Sequence, residues 1–123
     1  MARILVIDDS PLQSLCMSRI LQTLSHDVLC HADSQQALQV VNRQQVDLVL
    51  VELLMQTGNG FETGLLLREA GYSTVVLLTG VYRETDEIWA RALGLAGVIT
   101  RPQAPERLQT RINSILMKQS TCR

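Results

Sequence analysis

Apolar residues fall along this chain in short blocks that alternate with stretches of helical spacing. Ile4–Ile7 is a compact, partly β-branched run that predicts a buried strand. Ser10-Pro11 then opens a helix, with Ser10 as N-cap and Pro11 in the first turn. Leu12, Leu15, Cys16, Ile20, Leu21 and Leu24 recur at helical spacing and predict its inward face. Asp27–His31 reads as a second, weaker strand. Asp33 or Ser34 caps a second helix with Ala37, Leu38 and Val41 inward. The run 47–53 (DLVLVEL) is the clearest strand, apolar on both faces, as in a parallel sheet covered by helices on both sides. Gly58-Asn59-Gly60 marks a loop. A third helix over Phe61–Ala70, with Phe61, Leu65 and Leu66 inward, stops at Gly71. Thr74–Leu78 is a fourth strand, Glu84–Leu93 a helix closed by Gly94, and Gly97–Thr100 a short fifth strand. Pro105–Met117 is a last amphipathic helix with Leu108, Ile112, Ile115 and Leu116 on one face.

Five strand–helix units in strict alternation predict a parallel sheet with right-handed crossovers. In 123 residues this leaves room for a flavodoxin-like (βα)5 doubly wound sheet of order 2-1-3-4-5 and little else. The expected organisation is one domain over residues 1–123 with no output domain.

Composition narrows the function classes. The chain is 46% hydrophobic and 19% charged, with a formal net charge of −1, so a basic footprint for nucleic acid is absent from the expectation. No apolar run approaches a membrane span, and the paired acids Asp8-Asp9 come too early for a signal peptide, which makes the cytoplasm the expected location. Cys16, Cys30 and Cys122 lack any CxxC or Cys/His ligand spacing, so they read as free thiols and not as a zinc site. Cys16 and Cys30 are expected in the core and Cys122 at the surface. His26 and His31 have no ligand companion and are expected at the surface or a strand edge.

In open α/β sheets, sites form beyond the carboxyl ends of the strands. Strand one delivers Asp8 and Asp9 there, strand three Glu52, strand four Thr79 followed by Gly80, and strand five Arg101-Pro102. Clustered carboxylates repel one another and call for a cation, and Mg²⁺ suits oxygen ligands. A hydroxyl and a basic side chain suit phosphoryl oxygens. Neither GxGxxG nor GxxxxGK[ST] occurs, which speaks against a nucleotide. An anionic pair after strand one likewise speaks against a flavin phosphate.

The strings IDDS, DLVLVELLMQTGNGFE, LLTG and TRP together resemble a CheY-like response-regulator receiver domain over essentially the whole chain. Gly60 lies eight residues after Glu52, and Arg101 twenty-two after Thr79, as receivers space them. The start MARILVIDDSP and the stretch Glu84-Thr85-Asp86-Glu87-Ile88-Trp89 further resemble the stand-alone receivers of type IV pilus twitching-motility systems. The resemblance implies that Asp8 and Asp9 match the acidic pair that binds Mg²⁺ and that Leu54 matches the residue offering it a backbone carbonyl. Thr79 matches the hydroxyl that contacts the phosphoryl group. Four positions depart from the pattern. Glu52 replaces the phosphoacceptor aspartate, Arg101 the lysine, Val98 the aromatic switch, and Gln56, after Met55, the usual proline.

The extra methylene of Glu52 displaces its carboxylate by about 1.5 Å, one carbon–carbon bond. A misplacement of about 1 Å costs a positioned reaction roughly 100-fold. Arginine favours a two-pronged contact with carboxylate, so a Glu52–Arg101 pair is the expected arrangement, and it weakens the case for Mg²⁺. Three readings of Glu52 stand: a mimic of the phosphorylated state, a neutraliser of Arg101 in a fixed site, or an acceptor after all. The expected function is an atypical, non-enzymatic two-component receiver that requires no cofactor and signals by protein–protein contact. The alternative is a phosphorylatable, Mg²⁺-dependent receiver with slow self-dephosphorylation. The partner face is expected to present Trp89, Arg91, Val98 and Arg107. A sensor kinase, a chemosensory adaptor, a motor component or a second copy of the chain would bind it.

Overall fold

The computed structural model describes residues 1–40, 43–56 and 58–121. Five strands form one parallel sheet: β1 (Arg3–Ile7), β2 (Asp27–His31), β3 (Leu48–Glu52), β4 (Val75–Thr79) and β5 (Gly97–Thr100). Their order is β2-β1-β3-β4-β5, the expected doubly wound arrangement. The crossovers carry α1 (Pro11–Thr23), α2 (Ser34–Leu38), α3 (Gly60–Glu69) and α4 (Glu84–Ala92), and α5 (Pro105–Thr121) follows β5. A 3₁₀ turn at Arg43–Gln45 leads into β3. Val41 and Cys122 lie outside the described residues.

The period-two alternation of each strand feeds two cores. On one side Leu5, Ile7, Val49, Val51 and Leu77 meet Ala37, Leu67 and Ala90 from α2, α3 and α4. On the other, Ile4, Val6, Leu48, Leu50 and Leu78 meet Met17 and Leu21 of α1 and Leu108, Ile112 and Ile115 of α5. β3 and β4 are buried at every residue, which explains their unbroken apolar runs.

Caps follow the local chemistry. The Ser10 hydroxyl accepts from the Gln13 N–H, and Pro11 occupies the first turn of α1. Asp33 rather than Ser34 caps α2, accepting from the Gln36 N–H. The expected loop at Gly58-Asn59-Gly60 is more ordered than that. Gly58–Asn59 pairs antiparallel with Leu54–Met55, and the Asn59 side chain caps α3 through the Glu62 N–H.

Several expected core positions move. The buried face of α1 is Ser14, Met17 and Leu21, while Leu12, Leu15 and Cys16 are exposed. The apolar arc of this helix is wider than the strip the sheet covers, and periodicity cannot tell which part of a broad arc is covered. In α3, Gly60, Gly64 and Leu67 face inward, whereas Leu66 is exposed. Cys30 is exposed on the edge strand β2, not buried. His26 is buried, not superficial: its Nδ1 accepts from the Ala2 N–H at 3.0 Å and its Nε2 lies 2.7 Å from Gln109 Oε1. The ring thereby ties β1 to α5.

The two stripes of α1 are separable by mutation. Leu21→Ala is expected to cost about 2–5 kcal/mol of unfolding free energy. Leu12→Ala is expected to stay within about 0.5 kcal/mol. Urea denaturation of both variants measures the contrast.

Candidate functional site

The carboxyl ends of β1, β3, β4 and β5 place Asp8, Glu52, Thr79 and Arg101 along one rim of the sheet. Glu52 is the last residue of the fully buried β3, and its side chain is almost inaccessible to solvent. A carboxylate in that position needs a partner. Arg101, just past β5, supplies one with two prongs. Its Nε donates to Glu52 Oε2 at 2.8 Å and its Nη2 contacts Oε1 at 2.8 Å. Both glutamate oxygens are thus engaged, as expected from the sequence. This bond holds the guanidinium firmly protonated, pushing the Arg101 pKa up against the opposing effect of burial. The Arg101–Pro102 peptide is cis.

Gly60 lets the α3 N-terminus close over this end of β3. A Cβ there would stand 2.7 Å from Leu53 Cα and 2.8 Å from the Glu52 carbonyl oxygen, and the Gly60 N–H donates to the Leu53 carbonyl. The spacing between Glu52 and Gly60 therefore reflects a steric requirement.

Asp8 is buried and accepts from the Ser10 N–H at 2.9 Å. Gln13 spans the gap from α1: with its amide nitrogen toward Asp8 Oδ2 (3.1 Å), its oxygen accepts from Arg101 Nη2 (3.3 Å). Sequence reasoning missed Gln13. A polar residue one turn into the helix after the acidic pair was the available signal. Burial pushes the Asp8 carboxyl above its ordinary range. The Ser10 N–H opposes that shift, the Glu52 charge adds to it, Arg101 opposes it, and Asp9 adds to it. Asp9 is turned elsewhere: its Oδ2 accepts from the Gln56 N–H at 2.7 Å and so anchors the loop after β3. Thr79 is buried but hydrogen-bonds within its own turn. Its hydroxyl donates to the Val81 carbonyl at 3.0 Å and accepts from the Val81 N–H at 3.3 Å. Leu54 holds its side chain in solvent, within the short antiparallel pair.

A Mg²⁺ ion would find Glu52 already paired, with one oxygen each of Asp8 and Asp9 left to hold it beside waters. Both Glu52 oxygens are taken by Arg101, and one oxygen each of Asp8 and Asp9 by backbone N–H groups. The guanidinium already places a positive charge beside Asp8 and Glu52.

Of the expected partner face, Trp89, Arg91 and Arg107 are exposed. Trp89 is not core. Val98 is buried and cannot present a side chain to a partner. Its neighbours are Ala90 and Leu95 in the core beneath α4.

Two measurements probe this chemistry. Arg101→Ala leaves the Glu52 carboxylate buried without its partner and is expected to cost about 3–5 kcal/mol in chemical denaturation. Asp8 works in the opposite sense. A carboxyl that ionises less readily folded than unfolded binds more protons in the native state. Stability is therefore lost as pH rises from its unfolded value through the raised native value. Asp8→Asn removes that loss. Its melting temperature is expected to exceed that of the wild type by a few degrees at pH 7, with the gain fading as pH falls toward about 4.

Comparison with known proteins agrees with this geometry. The model of the response regulator receiver domain matches residues 4–113. Protein PilH of Pseudomonas aeruginosa is 32% identical over 119 residues, covering 94% of this chain and 98% of that protein. The transcriptional regulatory protein CpxR of Escherichia coli is 28% identical over 118 residues, covering 96% of this chain but 50% of its own length. The chain thus spans about half the length of transcriptional regulators it matches. Among solved structures, chemotaxis protein CheY4 of Vibrio cholerae superimposes with a TM-score of 0.82 at 25% identity, over 94% of this chain and 98% of that one. A receiver domain from Clostridium thermocellum reaches 0.85 at 22% identity with full coverage of both, which attests the fold. The sheet order, the acidic rim and the match over residues 4–113 establish that this chain belongs to the response regulator receiver domain family of two-component signalling.

Proposed function

We propose that this receiver acts as an atypical signalling module that works by protein contact and is not phosphorylated at Glu52. The observation that supports this is the two-pronged Glu52–Arg101 pair. An in-line attack on a phosphodonor needs a free carboxylate oxygen and a bound cation near it. Here both oxygens are committed to a guanidinium, and the acid is one methylene longer than the aspartate of the family pattern. Of the three readings of Glu52, the fixed site is the one this geometry favours.

Signalling then runs through the surface. α4 and the loop before it expose Val81, Tyr82, Ile88 and Trp89, with Arg91 and Arg107 as the nearby cations of the proposed face. Exposed Trp, Tyr and Arg are the residue types that dominate binding energy. A sensor kinase, chemosensory adaptor or motor component would be the partner. The similarity to PilH favours a pilus-linked, twitching-motility setting over transcriptional control. Among the described residues no helix is long and apolar enough to cross a membrane, and a cytoplasmic location fits such partners.

Trp89 supplies the test, being the only tryptophan and 63% exposed on α4. Its fluorescence should not respond to beryllofluoride plus Mg²⁺, and acetyl phosphate should leave no hydroxylamine-labile phosphate on the protein. The double variant Glu52→Asp/Arg101→Lys should gain a saturable response to both reagents. A saturable, Mg²⁺-dependent signal from the wild type would sink the proposal.

A further inference from the structure

Alternate residues of a parallel strand direct both backbone groups to the same neighbour, so an edge strand aims every second residue at open space. The two edges of this sheet are treated differently. At β5 the Arg101 N–H donates to the Thr79 carbonyl, which sets Val98 and Thr100 facing outward. Side chains close that edge. Glu87 accepts from the Val98 N–H at 3.2 Å, Arg111 reaches the Val98 carbonyl at 3.5 Å, and Gln103 donates to the Thr100 carbonyl at 2.8 Å. Glu87 is itself held by Arg91 at 3.3 Å.

β2 forms the opposite edge. The Asp27 N–H donates to the Ala2 carbonyl and the His31 carbonyl accepts from the Asp8 N–H, so Val28 and Cys30 face outward. Among the described residues no side chain bonds the outward backbone groups of these two. The strand also lacks the lysine, proline or bulge that usually blunts an edge. Leu29 and Cys30 are exposed. Leu15 of α1, 50% exposed, lines a hollow of about 450 Å³ beside Cys30 and His31.

We propose that β2 is a pairing edge for a second copy of this chain, antiparallel about Leu29. Val28 then lies opposite Cys30 of the second copy, and each such pair exchanges two N–H···O bonds, as the outward phase of the strand requires. Leu29 meets its own equivalent in the close, non-hydrogen-bonded position. Asp27, whose Oδ2 already pairs with Arg3 at 3.0 Å, lies opposite His31 of the second copy and meets it through its other oxygen. The contact is self-complementary and closes as a two-fold dimer. The α1 helices pack on β1 and β2, so about two strand spacings of 4.8 Å would separate them across the axis. That falls within the packing distance of about 8–10 Å and covers Leu15. A five-residue strand buries less than a standard interface, so the dimer is weak, with Kd of about 0.1–1 mM.

The test uses the full chain with its three cysteines changed to serine. Leu29→Cys in that background should oxidise to a disulfide-linked dimer, because the two thiols face each other across the axis. Leu66→Cys, comparably exposed on α3 and away from the β2 edge, should not. Sedimentation equilibrium of the wild type at about 1 mM should give an average mass above the 13.7 kDa monomer. Cys30→Pro removes an outward N–H that the β1 ladder does not use, and should return the chain to monomer. The proposal fails if the wild type stays monomeric at that concentration or if the Leu66 thiol crosslinks as fast as the Leu29 thiol. It also fails if a folded Cys30→Pro chain still dimerises; should that variant not fold, the crosslinking comparison decides.

Discussion

The Glu52–Arg101 ion pair is the constraint on which the rim of this protein depends. A carboxylate at the end of a fully buried strand is costly unless a cation with matching geometry meets it. Arginine meets it with a planar fork, where lysine would offer a point charge. The same guanidinium lies beside Asp8 and, with the Gln13 amide turned as described, donates to that side chain as well, so α1, β1, β3 and β5 share one electrostatic centre. Asp8 bears the residual cost. It is desolvated next to a second carboxylate, and the arginine only partly offsets this.

That centre changes what a receiver scaffold can do. The family pattern arranges acids to attract a metal and a phosphoryl group from solution. In this chain the counter-charge is built into the covalent structure. Thr79 is satisfied within its turn, Asp9 holds the loop after β3, and Val98 is packed in the core. Glu52, Thr79 and Asp9 thus each hold a contact within the chain. Away from the rim, the chain exposes aromatic and aliphatic residues around α4 and Leu29 and Cys30 at the β2 edge.

The site was largely legible because its chemistry depends on order along the chain. Strand ends carry the acids, the hydroxyl and the base at set intervals, and a fork beside a carboxylate has one favourable arrangement. The burial errors have a different origin. Leu12, Leu15 and Cys16 are as apolar as Met17 and Leu21, yet only the latter two meet the sheet. Cys30 alternates correctly but sits on an edge strand, where alternation does not guarantee cover. His26 looked like a surface residue because its partners, the Ala2 N–H and Gln109, are remote in sequence.

The sequence by itself determined the alternating strand–helix order, the parallel sheet, the cap at Ser10, and the identity of the charges at the rim. Those follow from period, propensity and local hydrogen bonding, which act within a few residues. Tertiary structure alone decided which stripe of α1 is covered, that Gln13 bridges Asp8 to Arg101, and that one sheet edge is sealed by Glu87, Arg111 and Gln103 while the other stays bare. These depend on how far each element extends over its neighbour. That is set by the packing of the whole sheet, and no local pattern encodes it.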